Sequence, residues 1–202
     1  WLPLVLVLPG HPQYCAGNSM QENLDLDLWL DQSLVQRQNQ LKADFLDLFE
    51  QLGNSVTNKE LTHFFSNSKG KKISKGNQLQ GFPYFVLDLI RDFDLDRGCT
   101  IRFVSWFGHG LYCCVFFGKY LNFPLEPFWN AGFHLGNAHS PWDLPIQLEC
   151  IGKSKPTPSS ELGNILWIKE IRIPTNKEVA LKILKEEVHK IIQVKPISRI
   201  KI

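Results

Sequence analysis

The chain has 202 residues, of which 44% are hydrophobic, 12% aromatic and 21% charged, and its formal net charge is +2. That length and apolar content suffice for one globular domain whose core needs no disulfide staples. A balance of +2 lies far from the basic composition of dedicated nucleic-acid binders, so nucleic acid is not an expected partner, and no stretch reaches the ~18 to 20 apolar residues needed to span a bilayer.

The first nineteen residues, WLPLVLVLPGHPQYCAGNS, contain no Asp, Glu, Lys or Arg. The only Met is Met20, directly before a patterned helix. Met20 is therefore read as the start, with residues 1–19 a non-native or disordered leader and 20–202 a single α+β domain. LPLVLVL also suits the apolar part of a secretory signal, but the basic start of such a signal is missing. The five cysteines, Cys15, Cys99, Cys113, Cys114 and Cys150, are odd in number and form no Cys-x-x-Cys. This favours small buried hydrophobes in a reducing cytoplasm over a disulfide framework or zinc ribbon. A soluble, cytoplasmic protein is the corresponding expectation. Acidic residues are in excess before Gly98 and basic ones after it, which permits an acidic partner without requiring one.

From Asn23 to Leu52, the residues Leu30, Leu34, Leu41, Phe45, Leu48, Phe49 and Leu52 recur at three- and four-residue steps. The spacing predicts a long amphipathic helix, broken near Gln36 to Asn39 and closed by Gly53-Asn54. Thr57-Asn58-Lys59-Glu60 has the form of a capping box and opens a short helix through Phe65. The densest basic cluster follows, Lys69, Lys71, Lys72 and Lys75, with Phe64, Phe65, Phe82 and Tyr84 nearby. Its spacing is not that of a phosphate loop, and a solvated lysine loop is the plainer reading.

The pattern then becomes β. Tyr84 to Leu89, Thr100 to Phe107, Leu111 to Phe117, Ile146 to Ile151 and Ile165 to Ile173 are rich in branched and aromatic residues between turn formers. Leu111 to Phe117 is apolar on both faces and predicts a central strand, whereas Ile165 to Ile173 suggests a less buried edge. Adjacent Cys113 and Cys114 should point to opposite faces. KSKPTPSS (153–160) is the best candidate for a mobile loop. Thr175 to Glu178 repeats the capping form before Ala180, Ile183, Leu184, Val188, Ile191 and Ile192, a terminal amphipathic helix. The order gives an α+β class: a mainly antiparallel sheet of about five strands, packed with a long N-terminal helix and a C-terminal amphipathic one.

The segment KISKG (72–76) followed by GFPYFVLDLIRDF (81–93) resembles a group of small bacterial proteins of unassigned function. The likeness covers roughly Lys71 to Gly118 and includes Gly81, Pro83, Tyr84, Asp88 and Arg91. It implies kinship and carries over no catalytic residue.

Four constellations bear on chemistry. Asp88 and Arg91 interrupt or end an apolar strand, where charge is costly unless paired; they suit a buried ion pair or a pocket. His109, between Gly108 and Gly110 at the expected hairpin tip, can exchange protons near neutral pH, yet no partnered acid or nucleophile is written beside it. His134, His139 and Asp143 are legitimate metal ligands whose spacing matches no closed motif; a structured loop with Trp142 packed into the core is the simpler reading. Asp92, Asp94 and Asp96 alternate, but fail the EF-hand pattern and suit a solvated strand end entering a turn. No phosphate loop or nucleophile elbow is present. The expectation is a protein that binds a small molecule or protein partner, without a cofactor, in a pocket at the sheet end near Lys75, Tyr84, Asp88, Arg91, Arg102, Trp106 and His109. The alternatives are a small hydrolase using His109 or the His134, His139, Asp143 loop, and self-association as a homodimer.

Overall fold

The computed structural model describes residues 23–137, 141–149, 151 and 163–194. The expectations for residues 1–19, His139, Cys150 and the 153–160 loop lie outside them. By its internal contacts the chain divides into two compact units, residues 1–40 and 41–202.

In the first unit, the expected single helix is two. A short α1 (Leu26–Leu30) precedes α2 (Gln32–Ser55), which continues into the second unit. The break falls at Asp31 and not near Gln36 to Asn39. Asp25 and Asp31 each accept a first-turn amide, from Leu28 and Leu34 at 2.9 Å. A carboxylate that satisfies a free N–H starts a new helix where helical periodicity alone shows none.

The second unit is α+β, as its pattern predicts. Its sheet has six strands, not about five: β1 (Lys72–Leu79), β2 (Phe82–Arg91), β3 (Cys99–Trp106), β4 (Gly110–Phe117), β5 (His134–Leu135) and β6 (Ile165–Glu170). The order is β1-β2-β3-β4-β6-β5, and every neighbouring pair is antiparallel. The helices are α3 (Asn58–Phe64), α4 (Glu126–Asn130), α5 (Leu144–Leu148) and α6 (Lys177–Ile192). Thr57 and Glu60 exchange the two bonds of a capping box, whereas before α6 the cap is Asn176 and not Thr175: Asn176 accepts from the Val179 amide. No helix among the described residues is long and apolar enough to cross a membrane.

Three local expectations are corrected. The lysine-rich segment is largely strand, since Lys72 to Gly76 pair with Tyr84 to Asp88 at the sheet edge, where exposed lysines are tolerated. Within it, Lys71 is no solvated bystander: its Nζ donates to the carbonyls of Gly53 and Val56 at 2.8 Å and closes the end of α2. Ile146 to Ile151 is not a strand. Asp143 caps α5 and Pro145 lies in its first turn, where the N–H that proline lacks would have no intrahelical partner. Finally, β6 is interior, with Trp167 fully buried, because two-residue β5 pairs along its outer side.

Side-chain alternation divides the sheet into two faces. On the inner face Phe103, Val115 and Trp167 pack in one cluster with Phe49 and Leu52 of α2, Phe64 of α3, Phe128 of α4 and Leu184 of α6. Each fully buried large side chain there stabilises the fold by about 2–3 kcal/mol relative to exposure. On the outer face the described residues that cover Val86, Val104, Cys114, Phe116 and Leu166 are Leu144, the partly buried Leu148 and Ile151, and Trp142 on Phe116, all from the α5 region. Cys113 lies in the inner cluster and Cys114 in the outer one, as their adjacency in β4 requires.

Candidate binding cleft

The lighter cover leaves a cleft of about 270 Å³ on the outer face. Its strand residues are Ser74 of β1, Tyr84, Val86 and Asp88 of β2, Thr100, Arg102 and Val104 of β3, Cys114 of β4 and Leu166 of β6. Pro141, Trp142, Leu144 and Gln147 face them from the α5 segment. Register brings these positions together: Ser74 pairs with Val86, Asp88 with Arg102, and Arg102 with Cys114. A bulge between Asp88 and Ile90 shifts β2 against β3 and sets Arg91 opposite Thr100. Bulges re-aim side chains in this way.

The β1–β2 hairpin pairs Leu79 with Phe82, and a shift between Gly76 and Leu79 brings Ser74 opposite Val86. Gln80 and Gly81 both have positive φ, 49° and 83°, the backbone of a two-residue turn that matches strand twist. Gly76 serves Tyr84 directly. A Cβ on Gly76 would lie 2.5 Å from the Tyr84 ring, so only glycine lets that ring lie across β1 beside the cleft.

Asp88 and Arg102 form the cleft's polar centre. Arg102 Nε donates to Asp88 Oδ1 at 2.7 Å and Nη2 to Oδ2 at 3.3 Å. The aspartate side chain is 5% exposed and the arginine side chain 20%. The Arg102 guanidinium carbon sits 5.2 Å from the Phe93 ring centroid and 5.7 Å from that of Trp142. The two rings meet edge to face at 5.1 Å, and Trp142 also packs on Phe116. A paired, ring-supported guanidinium is held in one orientation. Trp142 is therefore a rim residue, 40% exposed, and not a core one. Gln147 holds the rim segment: it accepts from the Asn137 amide at 2.6 Å and donates to the Asn137 carbonyl at 3.0 Å.

The Cys114 thiol, also in the lining, is pushed up to about 12, chiefly by burial. It stays protonated at neutral pH and is a poor nucleophile.

The structure gathers Tyr84, Asp88 and Arg102 from the sequence-based set and separates the rest. Lys75 pairs with Phe85, a residue of the inner cluster, and is exposed at the edge. Trp106 lies beside the cleft, with its indole N–H on the Leu79 carbonyl at 3.1 Å. Arg91 Nη2 donates to the Lys69 carbonyl at 3.1 Å, outside the lining. His109 stacks on Trp106 at 3.6 Å and meets Phe82 edge-on, an exposed cover for the indole. Asp143 caps α5, and His134 packs against Trp129 from β5. Among the described residues no three His, Cys, Asp or Glu side chains gather as metal ligands. Asp94 accepts from the amides of Asp96 and Arg97, bonds that hold its carboxyl below the usual range.

Ser74, Thr100, Trp142 and Gln147 were not expected from sequence as residues of the site. Alternation from Asp88 and Arg102 was the one signal able to reach Ser74, Val86 and Val104, given the register. Compared with known proteins, the chain matches no family model, no curated protein and no solved structure.

Proposed function

We propose that the protein works by binding a small ligand in the outer-face cleft. The observation that carries this reading is a Thr100 residue 1% exposed, lining the cleft beside the Asp88–Arg102 pair, whose hydroxyl has no hydrogen-bond partner among the described residues. The hydroxyl is not among the sealed, partnerless polar atoms of the described residues, so a ligand or water in the cleft can meet it. The surrounding Val86, Val104, Leu144 and Leu166 offer the apolar area that small-molecule sites require. At about 270 Å³ the space lies just below the ~300–1,000 Å³ range of such sites and suits a small ligand. The same reading takes the chain as kin of the bacterial proteins that share the KISKG and GFPYFVLD segments, acting in a cytoplasm that suits its buried free thiols.

The test is a melting-temperature screen of polar-headed small molecules, repeated on Ser74→Phe, which fills the cleft from the half-buried edge strand. Compounds that stabilise the native chain should lose their effect in the variant. Stabilisation that survives the filled cleft would refute the reading.

A further inference from the structure

We propose that the ligand is a small organic monocarboxylate with an apolar body, anchored by Arg102; this rests on reading the cleft as a binding site. Asp88 occupies Nε and one N–H of Nη2. Nη1, with two N–H groups, has no acceptor among the described residues. It is also not among their sealed, partnerless polar atoms, which are Arg91 Nε and Trp167 Nε1. The free edge of the fork is therefore open to solvent on a residue that lines the cleft, and it can only donate.

The neighbouring groups extend this donor surface. Ser74, Tyr84 and Thr100 bring hydroxyls that no described residue engages. Asp88 is the only carboxylate among the described lining residues, and both its oxygens already face Arg102. The guanidinium edge can only donate, and each hydroxyl can donate as well as accept, so a head group that accepts hydrogen bonds engages all of them. A planar carboxylate matches the planar edge of a guanidinium with two parallel bonds.

Charge narrows the choice further. Asp88 already balances Arg102, so a single negative charge gains the guanidinium edge against moderate repulsion, whereas a dianion meets that repulsion twice. Phe93 and Trp142 hold the guanidinium plane before a ligand arrives, which reduces the entropy lost on binding. Val86, Val104, Leu144 and Leu166 then receive an aliphatic or aromatic body.

Titration calorimetry on the full chain with hexanoate, benzoate, their amides, hexylamine and phenyl phosphate tests this. Hexanoate or benzoate should bind saturably, at least tenfold more tightly than the matching amide and than phenyl phosphate. Arg102→Lys should weaken the acid at least tenfold, because an ammonium cannot present a planar edge. Asp88→Asn should strengthen it several-fold by removing the opposing charge. Thr100→Val, nearly isosteric and not part of the ion pair, should weaken it several-fold even if the Arg102 variant fails to fold.

Equal binding of acid and amide, or preference for hexylamine, would overturn the carboxylate; if Ser74→Phe abolished that binding, the cleft itself would stand. Absence of binding by every probe at millimolar concentration would overturn the carboxylate, and the cleft would then rest on the melting screen alone.

Discussion

The two faces of the sheet are cut from the same strands, residue by residue, and are finished in opposite ways. The inner face presents Phe103, Val115 and Trp167 to helices from four parts of the chain and is closed throughout. The outer face presents Val86, Val104 and Cys114, but also Asp88 and Arg102, to one short segment around α5. The contrast teaches where function is affordable in this fold. A face sealed by amphipathic helices accepts charge only at its margin, as with Lys169 and Glu187, whereas a lightly covered face can keep a polar pair in contact with solvent.

The largest test of that contrast compares neighbours on β3. Phe103→Ala should cost about 3–5 kcal/mol of stability, and Val104→Ala, on the outer face, about 1–2 kcal/mol. Urea denaturation of both variants measures the difference; equal losses beyond what residue size explains would mean that the outer face is as tightly closed as the inner.

The ion pair gives the next effect. Arg102→Met leaves Asp88 buried without its partner and should cost about 3 kcal/mol. Adding Asp88→Leu should recover most of that loss, since a well-packed apolar pair often replaces a buried ionic one without penalty. Recovered stability without recovered ligand binding separates the pair's structural role from its role in the cleft. If the double variant still bound hexanoate like the native chain, Arg102 would not be the anchor.

At the margin of the inner face, Lys169 of β6 donates to Glu187 of α6 at 2.7 Å and to the Ala131 carbonyl at 2.7 Å, and Lys190 donates to Glu187 at 2.8 Å. Burial would raise the Glu187 carboxyl, but these lysines prevail and hold it below its ordinary 4.5. A depressed carboxyl contributes stability in full above its unfolded value and loses it as pH falls through the folded one. Glu187→Gln should cost about 1.5–3 kcal/mol at neutral pH. It should also flatten the stability loss below about pH 4.5, the ordinary value. An unchanged acid slope in denaturation between pH 5 and 2 would show that the clasp carries no such linkage.

The smallest effect concerns the lysine-rich segment. Lys71→Gln removes two bonds to the α2 end and should cost about 1 kcal/mol, while Lys75→Gln, exposed at the edge, should change stability by less than about 0.5 kcal/mol. Matching losses would mean that Lys71 is as solvated as its neighbours.

Much of the fold is written in short-range pattern. Capping at Thr57, the apolar spacing of α6 and the strong β runs of β2, β3 and β4 depend on nearest neighbours, and so did the opposed placement of Cys113 and Cys114. Asp88 was legible as a candidate for the same reason, since charge within an apolar strand demands an answer, although the sequence set Arg91 beside it. What the sequence could not hold is pairing. That Arg102 and not Arg91 meets Asp88 follows from the β2–β3 register and the bulge after Asp88. That Trp142 roofs the cleft, and that β6 is interior, follows from a two-residue strand and a five-residue helix too short to carry a periodic signal. Local periodicity chose each element and the face each side chain takes; only tertiary register, set by contacts between residues far apart in the chain, decided which of those side chains share a site.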